Sequence, residues 1–144
     1  MENNKYDYYH GNREMESFLF YRLPKKLFQS MDYVTLPSDA KLLYAFMLDR
    51  TAISWKNGWI DEHNNVYIYF TVEDATRYLG VSPGKVSRLM SMLDDKRGCG
   101  LIHRKRQGQG KPSKIYVKDI HSGEEEFINI YTMHSDTDFS NLQI

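Results

Sequence analysis

Between Thr71 and Val117 the chain gathers 10 of its 19 Lys and Arg but only 4 of its 19 acids, an excess of six positive charges that the remaining residues cancel. Two groups of side chains in this stretch could do chemistry. Ser82, Gly84, Lys85, Ser87, Arg88 and Ser91 are small or cationic and recur on the polar side of one helical pattern. Arg104, Lys105, Arg106, Gln107, Gln109, Lys111 and Lys114 flank a Gly-rich tip, and Arg77 projects from the helix that comes before. Guanidinium, ammonium, hydroxyl and amide groups at this density neutralise phosphates and hydrogen-bond base edges; they do not break bonds. The chemistry they point to is recognition of a polyanion, with double-stranded DNA the usual one.

Other chemistries lack their residues. Gly108-Gln-Gly-Lys-Pro-Ser113 has the look of a nucleotide-binding loop, but the glycine required at position 105 is Lys105 and a proline follows Lys111. His10, His63, His103, His121 and His134 show no i, i+4 pairing, and Cys99 is the single cysteine, so no metal site and no disulfide are expected. Cys99 reads as a packing residue or an exposed thiol, and Glu124–Glu126 as a solvated charge run. No catalytic residue, enzymatic activity or cofactor is expected. No apolar run reaches the roughly 18 residues of a membrane span, and the polar start lacks the apolar stretch of a signal peptide. A cytoplasmic protein away from the membrane is the expectation.

The elements that must hold these side chains can be read from pattern and caps. A hydrophobic content of 41% with 14% aromatic residues is enough for one folded domain in 144 residues. Residues 1–17 read as a flexible arm, 18–120 as the folded domain, and 121–144 as an acidic tail or a linker toward a further C-terminal domain. Phe18–Leu23 suits a short strand or an extended lead-in, and Pro24 the first position of a brief helix over 25–31. Ser38 is an N-cap candidate for a long helix whose Leu42, Leu43, Tyr44, Phe46, Met47 and Leu48 are apolar around most of its circumference. Such a helix belongs to a core or a subunit contact. We expect a two-fold dimer interface from the N-terminal helices and the Trp55–Ile60 segment. Val66–Phe70 is rich in β-formers and reads as a strand.

Thr71 with Asp74 forms a capping-box pattern for a helix over Val72–Leu79, and Gly80 supplies a left-handed stop. Ser82 and Pro83 then open a second helix, expected over 82–96, whose Val86, Leu89, Met90 and Leu93 repeat at i, i+3, i+4 and i+7. Its polar side suits the major groove, where the second helix of a helix–turn–helix lies. Gly98-Cys-Gly100 should end it, followed by strands over 101–106 and 114–117 around the tip. The class is α+β and mainly helical: a winged helix–turn–helix with a small antiparallel sheet, three-stranded if Val66–Phe70 joins. The hairpin over 101–117 would touch flanking backbone or the minor groove, with tip glycines letting backbone N–H groups approach. Strand alternation sends Arg104 and Arg106 to one face and Lys105 to the other.

Tyr21-Arg-Leu-Pro-Lys-Lys-Leu-Phe28, Lys41-Leu-Leu-Tyr44, Leu48-Asp-Arg50, Lys56-Asn-Gly-Trp59, Asn65-Val-Tyr-Ile-Tyr-Phe-Thr71 and Arg104-Lys-Arg-Gln-Gly-Gln-Gly-Lys-Pro112 closely resemble the N-terminal domain of the replication initiator A (RepA) family of Gram-positive theta-replicating plasmids, of the staphylococcal multiresistance type. The resemblance covers about residues 18 to 118, and the Gly-rich basic hairpin is its most specific part. It implies a dimeric winged helix that binds repeated origin sites (iterons) to initiate plasmid replication. It also implies a C-terminal domain, beyond these residues, that recruits host replication proteins, and copy control by bridging two DNA segments. A winged-helix transcriptional regulator is the alternative. An interaction module for an acidic protein partner stands behind both.

Overall fold

The computed structural model describes residues 5–11 and 20–122. Most of the arm and nearly all of the tail inferred above lie outside these residues. Six elements follow in order: α1 (Lys26–Gln29), α2 (Ser38–Lys56), α3 (Val72–Leu79), α4 (Pro83–Leu93), β1 (Ile102–Lys105) and β2 (Lys114–Val117).

The first two helices depart from expectation at their ends. Pro24 precedes α1 instead of opening it: Lys25 is the N-cap, and the Pro24 carbonyl accepts from the Leu27 N–H at 3.1 Å. Extended backbone at Ser30 stops the helix after one turn. In α2 Pro37 is the N-cap and Ser38 the first helical residue, with no side-chain capping bond. The helix runs on through Lys56 and closes in a Schellman turn. Gly58 is left-handed at φ 77°, and the Trp59 N–H reaches back to the Ser54 carbonyl at 3.0 Å. Its Ala40, Leu43, Tyr44, Ala45 and Met47 are buried, while Leu42, Ile53 and Trp55 stay exposed.

From Thr71 onward local chemistry sets the path. Thr71 Oγ1 accepts from the Asp74 N–H and Asp74 Oδ2 accepts from the Thr71 N–H, each at 3.0 Å, a complete capping box. Gly80 takes φ 68° and its N–H donates to the Thr76 carbonyl at 2.8 Å. Ser82 Oγ then accepts from the Lys85 N–H at 3.2 Å, with Pro83 in the first turn. The helix ends at Leu93, short of position 96, because Asp94 turns extended at the C-cap. Its carbonyl collects the Gly98 N–H at 2.9 Å, and Cys99 donates to the Met92 carbonyl at 2.9 Å. That turn is tight enough that a Cβ on Gly98 would lie 2.0 Å from the Met92 carbonyl oxygen.

β1 and β2 pair antiparallel, with Ile102 opposite Val117, His103 opposite Tyr116, Arg104 opposite Ile115 and Lys105 opposite Lys114. The expected third strand, Val66–Phe70, is reduced to isolated bridges. Val66 pairs with Ile60 round the turn at Asn64, and only Ile68 reaches the hairpin. There it exchanges both bonds with Ile115, at 2.8 and 2.9 Å. Changing partner within three residues leaves no room for a ladder. The core lies where α2, α3 and α4 meet the inner face of the hairpin: Leu43, Tyr44, Met47, Ala75, Val86, Leu89 and Leu93 against Ile68, Ile102 and Ile115. Tyr44 also donates its hydroxyl to the Lys118 carbonyl at 2.6 Å, pinning the strand that leaves the hairpin.

Candidate nucleic-acid interface

Burying Val86, Leu89, Met90 and Leu93 fixes the rotation of α4 and leaves Ser82, Gly84, Ser87 and Arg88 exposed, with Lys85 and Ser91 half-buried at the margins. The hairpin stands beside the end of this helix. Between them opens a cleft of about 700 Å³ that brings together Ser87, Ser91, Arg104, Lys105 and Arg106 with Lys96, Arg97 and His103. Arg77, Lys85, Arg88, Gln109, Lys111 and Lys114 do not line it.

The cations divide by what they touch. Lys85 Nζ sits 2.7 Å from Asp39 Oδ2, which ties the start of α4 to the start of α2. Arg77 pairs with Asp74 one turn away on its own helix, and Arg104 donates from Nε to Asp94. Lys114 lies over the Tyr67 ring at 4.4 Å from its centre. Gln107 donates to the Pro112 carbonyl at 2.8 Å and to the Tyr69 hydroxyl at 3.2 Å, folding the tip back on itself. Arg88, Lys96, Arg97, Lys105, Arg106 and Lys111 make no ion pair among the described residues. Gln109 and Lys111 are exposed at the tip, where Gly108 and Gly110 hold φ of 114° and 79°.

The Arg104 pair holds the hairpin to the helix. Asp94 is only 4% exposed. Its burial alone would raise the carboxyl pKa, but the Lys96 N–H and the Arg104 guanidinium outweigh that and hold it below the ordinary value. Asp94 therefore stays charged, and Arg104 is fixed on the core side of the sheet. On the other side His103 Nδ1 meets Asp95 Oδ2 at 2.8 Å. The Tyr116 hydroxyl donates to Asp61 Oδ2 at 2.8 Å, and burial together with that carboxylate pushes its pKa up to about 12.

Lys96 and Arg97 were not among the residues singled out by pattern. The expected helix over 82–96 took in Lys96 and left Arg97 just past its end, whereas the stop at Asp94 puts both in the cleft wall. Asp94-Asp95 breaks the apolar stripe, but the stripe alone does not fix where the helix stops. Among the described residues no group of His, Cys, Asp and Glu could hold a metal ion, and no helix is long and apolar enough to cross a membrane.

A tight helix pair followed by a two-stranded basic hairpin on a three-helix core defines a winged helix. Residues 19–130 match the replication initiator protein A (RepA) N-terminus family, and the chain belongs to it. It is 36% identical over 110 residues to a 41 kDa protein of Lactobacillus helveticus, covering 72% of this chain and 30% of that one. The chain thus spans about a third of its relative's length. Among solved structures it is similar to one described as the N-terminal domain of a DNA binding protein, with TM-score 0.68, 30% identity, and coverage of 91% of this chain and 98% of that chain. A Rep–DNA complex aligns with TM-score 0.65, 31% identity and coverage of 82% and 88%. An MDR initiator aligns with TM-score 0.62, 29% identity and coverage of 81% and 89%.

Proposed function

We propose that this chain is the origin-binding part of a plasmid replication initiator, reading double-stranded DNA at direct repeats. The observation that carries the reading is the cleft between α4 and the hairpin, walled by Lys96, Arg97 and Arg106, cations without an ion pair among the described residues. In this reading α4 enters the major groove, where Gly84, Ser87 and Ser91 are small enough for close approach and Ser87, Arg88 and Ser91 can hydrogen-bond base edges. Arg106, Lys105 and Lys111 follow the flanking backbone or the minor groove. Lys85 and Arg104 hold the frame through Asp39 and Asp94. Family membership and likeness to a Rep–DNA complex support the assignment.

The domain performs no chemistry of its own and works in the cytoplasm. Two copies associate through the N-terminal helices and the Trp55–Ile60 segment, where Ile53, Trp55 and Ile60 are exposed, while the Trp59 ring lies against Tyr67 and Tyr69. A dimer can bridge two DNA segments, and a further C-terminal domain recruits host replication proteins. The test is a gel shift with duplex plasmid-origin repeats against a scrambled duplex of equal length. Preferential retardation of the repeats is expected. Equal retardation removes the origin reading, and preference for a promoter palindrome replaces it with transcriptional regulation.

A further inference from the structure

The hairpin has a second face that the duplex reading uses only through Lys105, which borders the cleft. Pairing in register puts Arg104 and Ile115 on the core side and His103, Lys105, Lys114 and Tyr116 on the outer side. The neighbouring segment continues this division, with Ile68 and Phe70 buried and Tyr67 and Tyr69 turned outward. The outward rings form one row: Trp59 is 5.5 Å from Tyr69 and 6.2 Å from Tyr67, Tyr67 is 6.3 Å from Tyr116, and Tyr116 is 5.9 Å from His103. At the tip-ward end Lys105 and Lys114 stand directly opposite each other. Like charges so placed destabilise a bare sheet. Lys105 has no ion pair among the described residues, and Lys114 is spread over the Tyr67 ring. The acids at the margins, Asp61 and Asp95, are already taken up by Tyr116 and His103. Beside the row a cleft of about 580 Å³ presents the amides of Asn64 and Asn65.

We infer that this outer face is a second nucleic-acid site, one for single-stranded DNA. Trp59 and Tyr67, whose rings lie 21° from parallel, offer π-faces to unstacked bases, with Lys114 leaving the Tyr67 ring to join Lys105 on the phosphates between them. A duplex cannot use it, because its bases are stacked within. Charge decides against an apolar partner, since the two lysines would be left desolvated and unpaired.

The test titrates the full chain with a fluorescein-labelled oligodeoxythymidine of about 12 nucleotides, within the usual span of such sites. Tyr67→Ala is expected to weaken single-strand binding by roughly 5-fold or more, the lower bound for losing one base–ring stack, with origin-duplex affinity unchanged. Tyr67→Phe keeps the ring and restores binding. A Trp55→Phe protein, in which Trp59 is the remaining tryptophan, is expected to lose fluorescence on adding the oligonucleotide, a readout that requires no change to the row. Arg106→Ala should weaken the duplex and spare the single strand, which separates this site from the cleft. The inference is overturned if the oligonucleotide leaves Trp59 emission unchanged, if Arg106→Ala abolishes both bindings alike, or if Tyr67→Ala splits a dimer without altering single-strand affinity, since a second copy then covers the face.

Discussion

Removing a cleft cation should change the salt dependence of duplex binding, while removing a paired one should change stability instead. Between Thr71 and Val117 six cations make neither an ion pair nor a ring contact among the described residues: Arg88, Lys96, Arg97, Lys105, Arg106 and Lys111. If each neutralises one phosphate, log affinity falls against log salt with a slope of about −5 per bound subunit, from about 0.9 counterions released per contact. Between 50 and 200 mM salt, the range over which such losses are compared, affinity then drops on the order of a thousandfold. Arg106→Gln should flatten the slope by about one and weaken every duplex. Arg104→Gln should leave the slope nearly unchanged, because its guanidinium already neutralises Asp94. Fluorescence anisotropy across a salt series reads both slopes. A slope near zero for the parent protein, or equal flattening by the two variants, refutes the division of cations drawn from the structure.

Arg104→Ala strands a carboxylate that is 4% exposed. Breaking a buried pair costs about 3–5 kcal/mol, and the 35% exposure of the Arg104 side chain reduces this to about 2 kcal/mol through solvent screening, measurable by urea unfolding. Because the Asp94 carboxyl is held below its ordinary value, its stabilisation is complete above the unfolded pKa of about 3.9 and is lost as pH falls through the lower folded value. Asp94→Asn should therefore show a shallower acid-side fall in the urea midpoint than the parent does. Gly98→Ala, whose Cβ would lie 2.0 Å from the Met92 carbonyl oxygen, should cost about 3 kcal/mol, the upper end for overpacking, and expose hairpin amides to hydrogen exchange. Trp55→Glu, on a side chain 63% exposed, should yield monomers in sedimentation without lowering the melting temperature; an unchanged dimer places the contact elsewhere.

What could be read from the sequence was whatever neighbouring residues decide among themselves. Thr71 with Asp74, Gly80, and Ser82 with Pro83 act within one turn of chain, and all of these caps and stops stand where pattern put them. The apolar stripe of α4 was equally plain, since its four positions bury as one face. Features decided by distant partners were not legible. Asp94 ends the helix early because Arg104 and the amides after it converge there, and nothing local announces that pairing. Val66–Phe70 has strand composition and alternates correctly, but its ladder depends on Ile60 and Ile115 lying in line, and they do not. For the same reason the basic stretch was visible as a charge excess, while the sorting of Lys85 and Arg104 from Arg88 and Arg106 required the positions of Asp39 and Asp94.

The joint at Gly98 bears on how this scaffold can diverge. A bend that admits no side chain between Gly98 and the Met92 carbonyl is closed to substitution, so the hairpin projects from α4 at the inclination this turn sets. Freedom lies at the far end, where Gly108 and Gly110 open onto empty space and added residues would lengthen the projection without tipping it. Sequence drift is thus left two variables, the hairpin's reach and the identity of its side chains, and is denied a third.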